Sequence, residues 1–242
     1  MSDHDVRPVA GADLSDPEAL LRGAGWEGHE PAHRDARWLP YVLRALLHPD
    51  PVVQADAFWD LEPLRHQNTI YTVVVPAAQY IAAILADPRT ATVCPFGRFQ
   101  WSRDEPIQLR AKLIMWLADL TSDAGWRAGQ DAEADAVLSM RPAFLAAIDP
   151  YLHDEDDDVS GAAVDAAVIM VEAVELIHRR EEITELGLKL EVKRHGVPPP
   201  QVAPVYVAPR YRSEDIPLTP PLDDVVMQAA RVWALGDPWA EQ

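Results

Sequence analysis

Cysteine is nearly absent from this chain: Cys94 is the only one in 242 residues. One thiol cannot close an internal disulfide, which excludes a disulfide-stapled scaffold and suits a reducing cytoplasm. Long apolar runs are missing too. The two longest, residues 71–86 and 162–176, are interrupted by Pro76 with Gln79 and by Asp165 with Glu172 and Glu175, so neither reads as a membrane span. The opening Met1-Ser2-Asp3-His4-Asp5 carries no basic stretch ahead of an apolar run, and no secretory leader is expected. There is no Walker loop, and nothing in the motifs implies a cofactor.

Positive charge is scarce. Lys and Arg number 21 against 39 Asp and Glu, a formal net charge of −18. Residues 122–191 hold −12 of it, with 17 acidic and 5 basic side chains. Such a field repels phosphate backbones and anionic lipid and favours encounter with a cationic partner. Direct nucleic-acid and membrane binding are therefore disfavoured. Plain solubility is the competing account of the same acidity.

Helical periodicity is abundant. Three blocks fall into one register: Val53–Leu61, Leu109–Leu117 and Val159–Ala167, their first residues 56 and 50 positions apart. The first, fifth and ninth residue of each is apolar, which stacks three side chains on one helical face that a neighbouring helix can cover. Recurrence at this scale predicts stacked helix pairs, each burying its apolar face only against the next.

The pairs are expected from residue 37 onward. The first joins a helix over 37–47 to the one opened by Asp50-Pro51; the second joins 71–86, kinked near Pro76, to 106–121, with a long link over 87–105. The third joins 132–152, interrupted at Arg141-Pro142 or Asp149-Pro150, to a long helix from about Asp158 to Arg180. A further amphipathic stretch covers 181–192. Proline ends helices but suits a first turn, which sets these breaks. Residues 1–36 read as a polar, loosely packed N-terminal arm with a short amphipathic turn over Pro17–Arg22. Eight of the 28 residues from Arg194 to Pro221 are proline, so 193–221 reads as an extended strap. Residues 222–242 then hold a docking helix on Val225, Val226, Ala229, Val232 and Trp233.

Two segments carry a resemblance. His48-Pro49-Asp50-Pro51-Val52-Val53-Gln54-Ala55-Asp56-Ala57 and Asp156-Asp157-Asp158-Val159-Ser160-Gly161-Ala162-Ala163 resemble HEAT-like helical repeats in their acidic turn, valine and small residues. The resemblance covers about residues 37–180 and implies an irregular all-α HEAT-like solenoid of about three helix pairs. His66-Gln67-Asn68-Thr69-Ile70-Tyr71 is also similar to a segment of HEAT-like bacterial proteins, some of which act as immunity or accessory proteins. Repeats of this kind run about 40–47 residues, so insertions are needed over 87–105 and 122–131. The arginine that often follows the valine occurs only as Arg110, with Gln54 and Ser160 in its place elsewhere.

Chemistry has few footholds. His29-Glu30-Pro31-Ala32-His33 has the H-E-x-x-H spacing that on a helix aims two imidazoles at one zinc. Pro31 between them, and Gly25 and Gly28 before them, argue against a helix and make the match a coincidence. His153 beside the acidic run lacks the glycine and spacing of an EF-hand loop. No metal or catalytic residue is assigned.

Binding has more. Phe96, Phe99 and Trp101 lie in the insert over 87–105, where large rings either fold back on the core or meet a partner. Asp154, Glu155, Asp156, Asp157 and Asp158 exceed what one helix cap can use, so an anionic rim is expected beside the cap. These eight residues are the candidate contacts for a basic protein partner. The favoured expectation is a cytoplasmic, non-catalytic protein-binding module, in its concrete form an immunity or antitoxin-type protein that neutralises a basic toxin domain. A structural scaffold is the alternative, and a zinc hydrolase built on His29, Glu30 and His33 is a remote one. The patterns do not set the oligomeric state.

Overall fold

A computed structural model describes residues 16–26, 36–68, 70–96 and 106–195. These residues form nine α-helices with short 3-10 turns and one two-stranded ladder, an all-α architecture. The H-E-x-x-H string, Phe99, Trp101, the strap from 196 onward and the C-terminal helix lie outside them.

Aspartate caps start four of the helices. Asp16 opens α1 (Pro17–Gly23), Asp50 opens α3 (Pro51–Trp59), Asp131 opens α6 (Ala132–Ser139) and Asp156 opens α8 (Asp157–Met170), each accepting a backbone N–H of the first turn. A carboxylate there satisfies donors that have no intrahelical partner. Proline sets other boundaries. Pro142 sits in the first turn of α7 (Arg141–Ile148), and Pro150 lies in the 3-10 turn Asp149–Tyr151, so the chain breaks at both positions expected to compete. Pro76 is the third residue of α4 (Val74–Ile84), where its missing N–H costs no helical bond and no kink is required. The remaining helices are α2 (Leu39–Ala45), α5 (Leu109–Trp126) and α9 (Arg180–His195).

The second and third register blocks are helical throughout, and the first is helical to Trp59, with Asp60 and Leu61 in the turn that follows α3. Leu109, Leu113 and Leu117 of α5 and Val159, Ala163 and Ala167 of α8 are completely buried, as are Ala57 and Leu61, while Val53 is half-buried. The helices that carry them are neighbours: α3 touches α5, and α5 packs along α8. On the other side α2 touches α4, and α4 touches α6 and α7. α9 covers α8. No helix among the described residues is long and apolar enough to cross a membrane.

Two expectations are corrected. The long helix from Asp158 to Arg180 ends at Met170; Ala173 is extended (ψ 137°), and a 3-10 turn over Val174–Arg179 leads into α9. No glycine or proline lies between 162 and 186, so packing makes this break. It lets Glu172 reach Arg141 of α7 at 3.2 Å, both side chains mostly buried, and returns Leu176 and Ile183 to the core. The N-terminal arm is not all loose. Leu21 and Trp26 are buried, α1 packs on α4, and Glu18 accepts two bonds from Arg44 of α2. The apolar side of so short a helix becomes significant only once α4 is there to cover it.

Candidate functional site

Gln108, the residue before α5, joins the two segments that the sequence marks for binding. Its strand β2 (Ile107–Gln108) pairs antiparallel with β1 (Val93–Cys94), Val93 opposite Gln108 and Cys94 opposite Ile107. This ladder closes the stem of the aromatic insert. The Gln108 side chain points the other way in function: its Nε2 donates to Asp156 Oδ2 at 2.7 Å. The stem of the insert and the acidic turn before α8 thus meet at the N-terminus of α5.

Phe96 belongs to the core. It is completely buried, its ring meets Phe58 edge-on with centroids 5.3 Å apart, and its carbonyl accepts the Trp59 indole N–H at 3.0 Å. Lys112 Nζ sits 5.5 Å from the Phe96 ring centroid, within cation–π reach. Of the three aromatic candidates this one staples the insert and presents no contact surface.

The five carboxylates divide by role. Asp156 caps α8 through Asp158 and Val159 N–H while holding Gln108, and Asp154 accepts the Asp156 N–H. Asp157 is exposed and pairs with Lys193 of α9 at 2.6 Å. Glu155 and Asp158 are exposed and make no side-chain hydrogen bond or ion pair among the described residues. The anionic rim is therefore narrower than five residues.

A cleft of about 340 Å³ opens one to two turns further along α5, against the end of α3. Phe58, Trp59, Trp116 and Met115 form its apolar lining, and Met115 is 43% exposed. Glu62, Arg65, Lys112 and Asp119 supply its charge. Arg65 bridges two carboxylates: Nε and Nη2 donate to Asp123 Oδ2 at 3.0 and 2.8 Å, and Nη1 to Asp119 Oδ2 at 3.0 Å. Burial pushes the Asp119 carboxyl upward, more than the neighbouring Arg65 pulls it down. Glu62 is exposed and makes no hydrogen bond or ion pair among the described residues. Sequence reasoning assigned Trp59 and Trp116 to packing and did not single out the four charged residues. The available signal was Lys112, Met115 and Asp119, which recur at three and four positions along a helix that is otherwise buried almost all round.

The described residues contain no group of three or more His, Cys, Asp or Glu placed to hold a metal. Gly23-Ala24-Gly25-Trp26-Glu27-Gly28 has the spacing of a dinucleotide fingerprint, which the motif reading missed, but Gly23 ends a helix instead of following a strand, so the phosphate-binding context is missing. His48 Nδ1 accepts the Asp50 N–H and shapes the turn before α3.

Comparison with family models, curated proteins and solved structures finds no match.

Proposed function

We propose that this chain is a non-catalytic protein-binding module with an irregular HEAT-like build, and that its partner is basic. The observation that carries the reading is the Gln108–Asp156 bond at 2.7 Å, which holds the aromatic insert's stem beside the acidic turn. The exposed Glu155 and Asp158 carboxylates beside that stem suit capture of a cationic protein face, where charge speeds encounter. Packing of α2 on α3, α4 on α5 and α7 on α8, with α5 between α3 and α8, supports the stacked-pair architecture. The buried thiol of Cys94 fits a reducing cytoplasm. An immunity or antitoxin-type role follows in its concrete form, since blocking a basic toxin domain requires a complementary surface and no catalytic residue.

Capture of partners from cell extract at low and high salt tests this. A single basic protein, released by salt and lost with the Glu155→Lys/Asp158→Lys variant, is expected. Its association rate should fall by about tenfold or more between dilute and concentrated salt. Several salt-resistant subunits would replace this reading with that of an assembly scaffold.

A further inference from the structure

We infer that the cleft between the end of α3 and α5 receives an arginine side chain presented by the protein partner. The inference rests on the binding reading above and names what the module grips.

Both cations at the cleft are occupied: Arg65 Nε, Nη1 and Nη2 donate to Asp119 and Asp123, and Lys112 lies over Phe96 with a further interaction besides. The carboxylates are not equally served. Asp119 and Asp123 share one guanidinium, and Glu62, exposed at the cleft, has no ion pair among the described residues. Of the four charged side chains that line the cleft, Arg65 and Asp119 pair with each other and Lys112 is engaged, which leaves Glu62 as the lining carboxylate with no ion pair among the described residues. The open valence of the cleft is negative.

The lining decides which cation fits. Phe58, Trp59 and Trp116 border the space and Met115 stands partly exposed beside them. Aromatic rings attract a desolvated cation through their quadrupole, and a planar guanidinium stacks on rings and forks to a carboxylate in a way a rounded ammonium does not. A volume of about 340 Å³ is at the low end of small-ligand sites, roughly 300–1,000 Å³. It suits one long side chain. The acidity of the whole chain, −18, brings basic faces toward it.

The test follows indole N–H resonances of the full chain in a two-dimensional ¹⁵N–¹H spectrum, with Trp59→Phe and Trp116→Phe spectra used to assign the two peaks. N-acetyl-arginine amide is the probe, N-acetyl-citrulline amide its uncharged shape-mate, and free L-arginine and N-acetyl-glutamate amide the controls. The arginine amide is expected to shift both indoles with a dissociation constant of about 1–10 mM, and citrulline to bind about tenfold more weakly. Glu62→Gln should weaken the arginine response about threefold while leaving the remaining indole peaks in place, and Glu62→Lys should abolish it. Equal responses to arginine and citrulline, a response to the glutamate probe instead, or no shift at either indole would overturn the inference. Free L-arginine binding far more tightly than the amide would do so as well, by making the occupant an amino acid. The Glu155→Lys/Asp158→Lys variant keeps the cleft response, so loss of partner capture with an intact cleft titration marks failure of the broader reading and not of this one.

Discussion

Gln54 and Arg110 perform the same task one helix apart. Each is the second residue of its register block, and each donates to the carbonyl that ends the preceding helix: Gln54 Nε2 to Leu46 O at 3.0 Å, Arg110 Nε to Leu85 O at 3.0 Å. Each also reaches the link that follows α4, Gln54 through Arg89 O and Arg110 through Asp87 O and Thr90 Oγ1. The arginine expected to recur along the stack is replaced at 54 by a shorter amide with the same duty, and Arg110 additionally lies 4.6 Å from the Tyr151 ring centroid. Ser160, the third equivalent, bonds only its own helix at Asp157 O.

Gln54→Leu should therefore destabilise the fold although it adds apolar surface. It removes two donors to backbone carbonyls from a completely buried position. Leaving such acceptors without partners costs about 2 kcal/mol or more. Urea denaturation of parent and variant measures it, and equal midpoints would show that the bonds contribute nothing net.

The acidic turn should split under alanine substitution. Asp156→Ala removes a cap and the Gln108 bond together and is expected to cost about 2 kcal/mol. Glu155→Ala and Asp158→Ala should change stability by less than about 0.5 kcal/mol. Partner binding should show the reverse order. Equal stability losses at all three positions would mean that the turn is structural throughout.

Cys94 is predicted to be inert in the folded chain. Burial raises its thiol from 9.0 to about 11, and its Sγ–H donates to Gln54 Oε1 at 3.3 Å. The thiolate fraction near pH 8 drops about 100-fold, since only the thiolate attacks. Alkylation by iodoacetamide should proceed at the rate of opening or unfolding. Rapid labelling of native protein would contradict the buried placement.

Asp165 sets a pH dependence with an unusual sign for an acid held by arginine. Burial raises its carboxyl above the ordinary aspartate range, outweighing the two bonds from Arg194 that lower it. The native state then keeps this proton after the unfolded chain has lost it. Its contribution is complete below the unfolded value and is lost as pH rises through the folded one. The stability cost of Asp165→Asn should be larger near pH 4 than at pH 7, read from urea midpoints at each pH. A cost that grows toward neutral pH would show that the ion pair with Arg194 dominates.

Much of the fold was legible because its causes are local. Asp50 and Asp156 announce helix starts, Pro142 and Pro150 announce breaks, and the three register blocks place Leu113 and Ala163 inward; each of these acts within a few residues. The binding residues were only partly legible. The acidic run could be seen, but the division between Asp156 as a cap and Glu155 and Asp158 as free carboxylates needs the neighbouring chain. The cleft escaped because Glu62 and Asp119 look like ordinary helix-surface charges until α3 and α5 are side by side.

The sequence by itself determined the all-α class, the helix starts and the acidic balance, since periodicity, capping and composition are short-range or additive properties. Tertiary structure alone decided that α8 stops at Met170 so that Glu172 meets Arg141. It also decided that Gln108 ties the insert to the acidic turn across 48 residues, and that Arg65 shares its guanidinium with Asp123 across 58. Contacts between such distant positions form only when packing brings the helices together, and no local pattern records which surfaces will face each other.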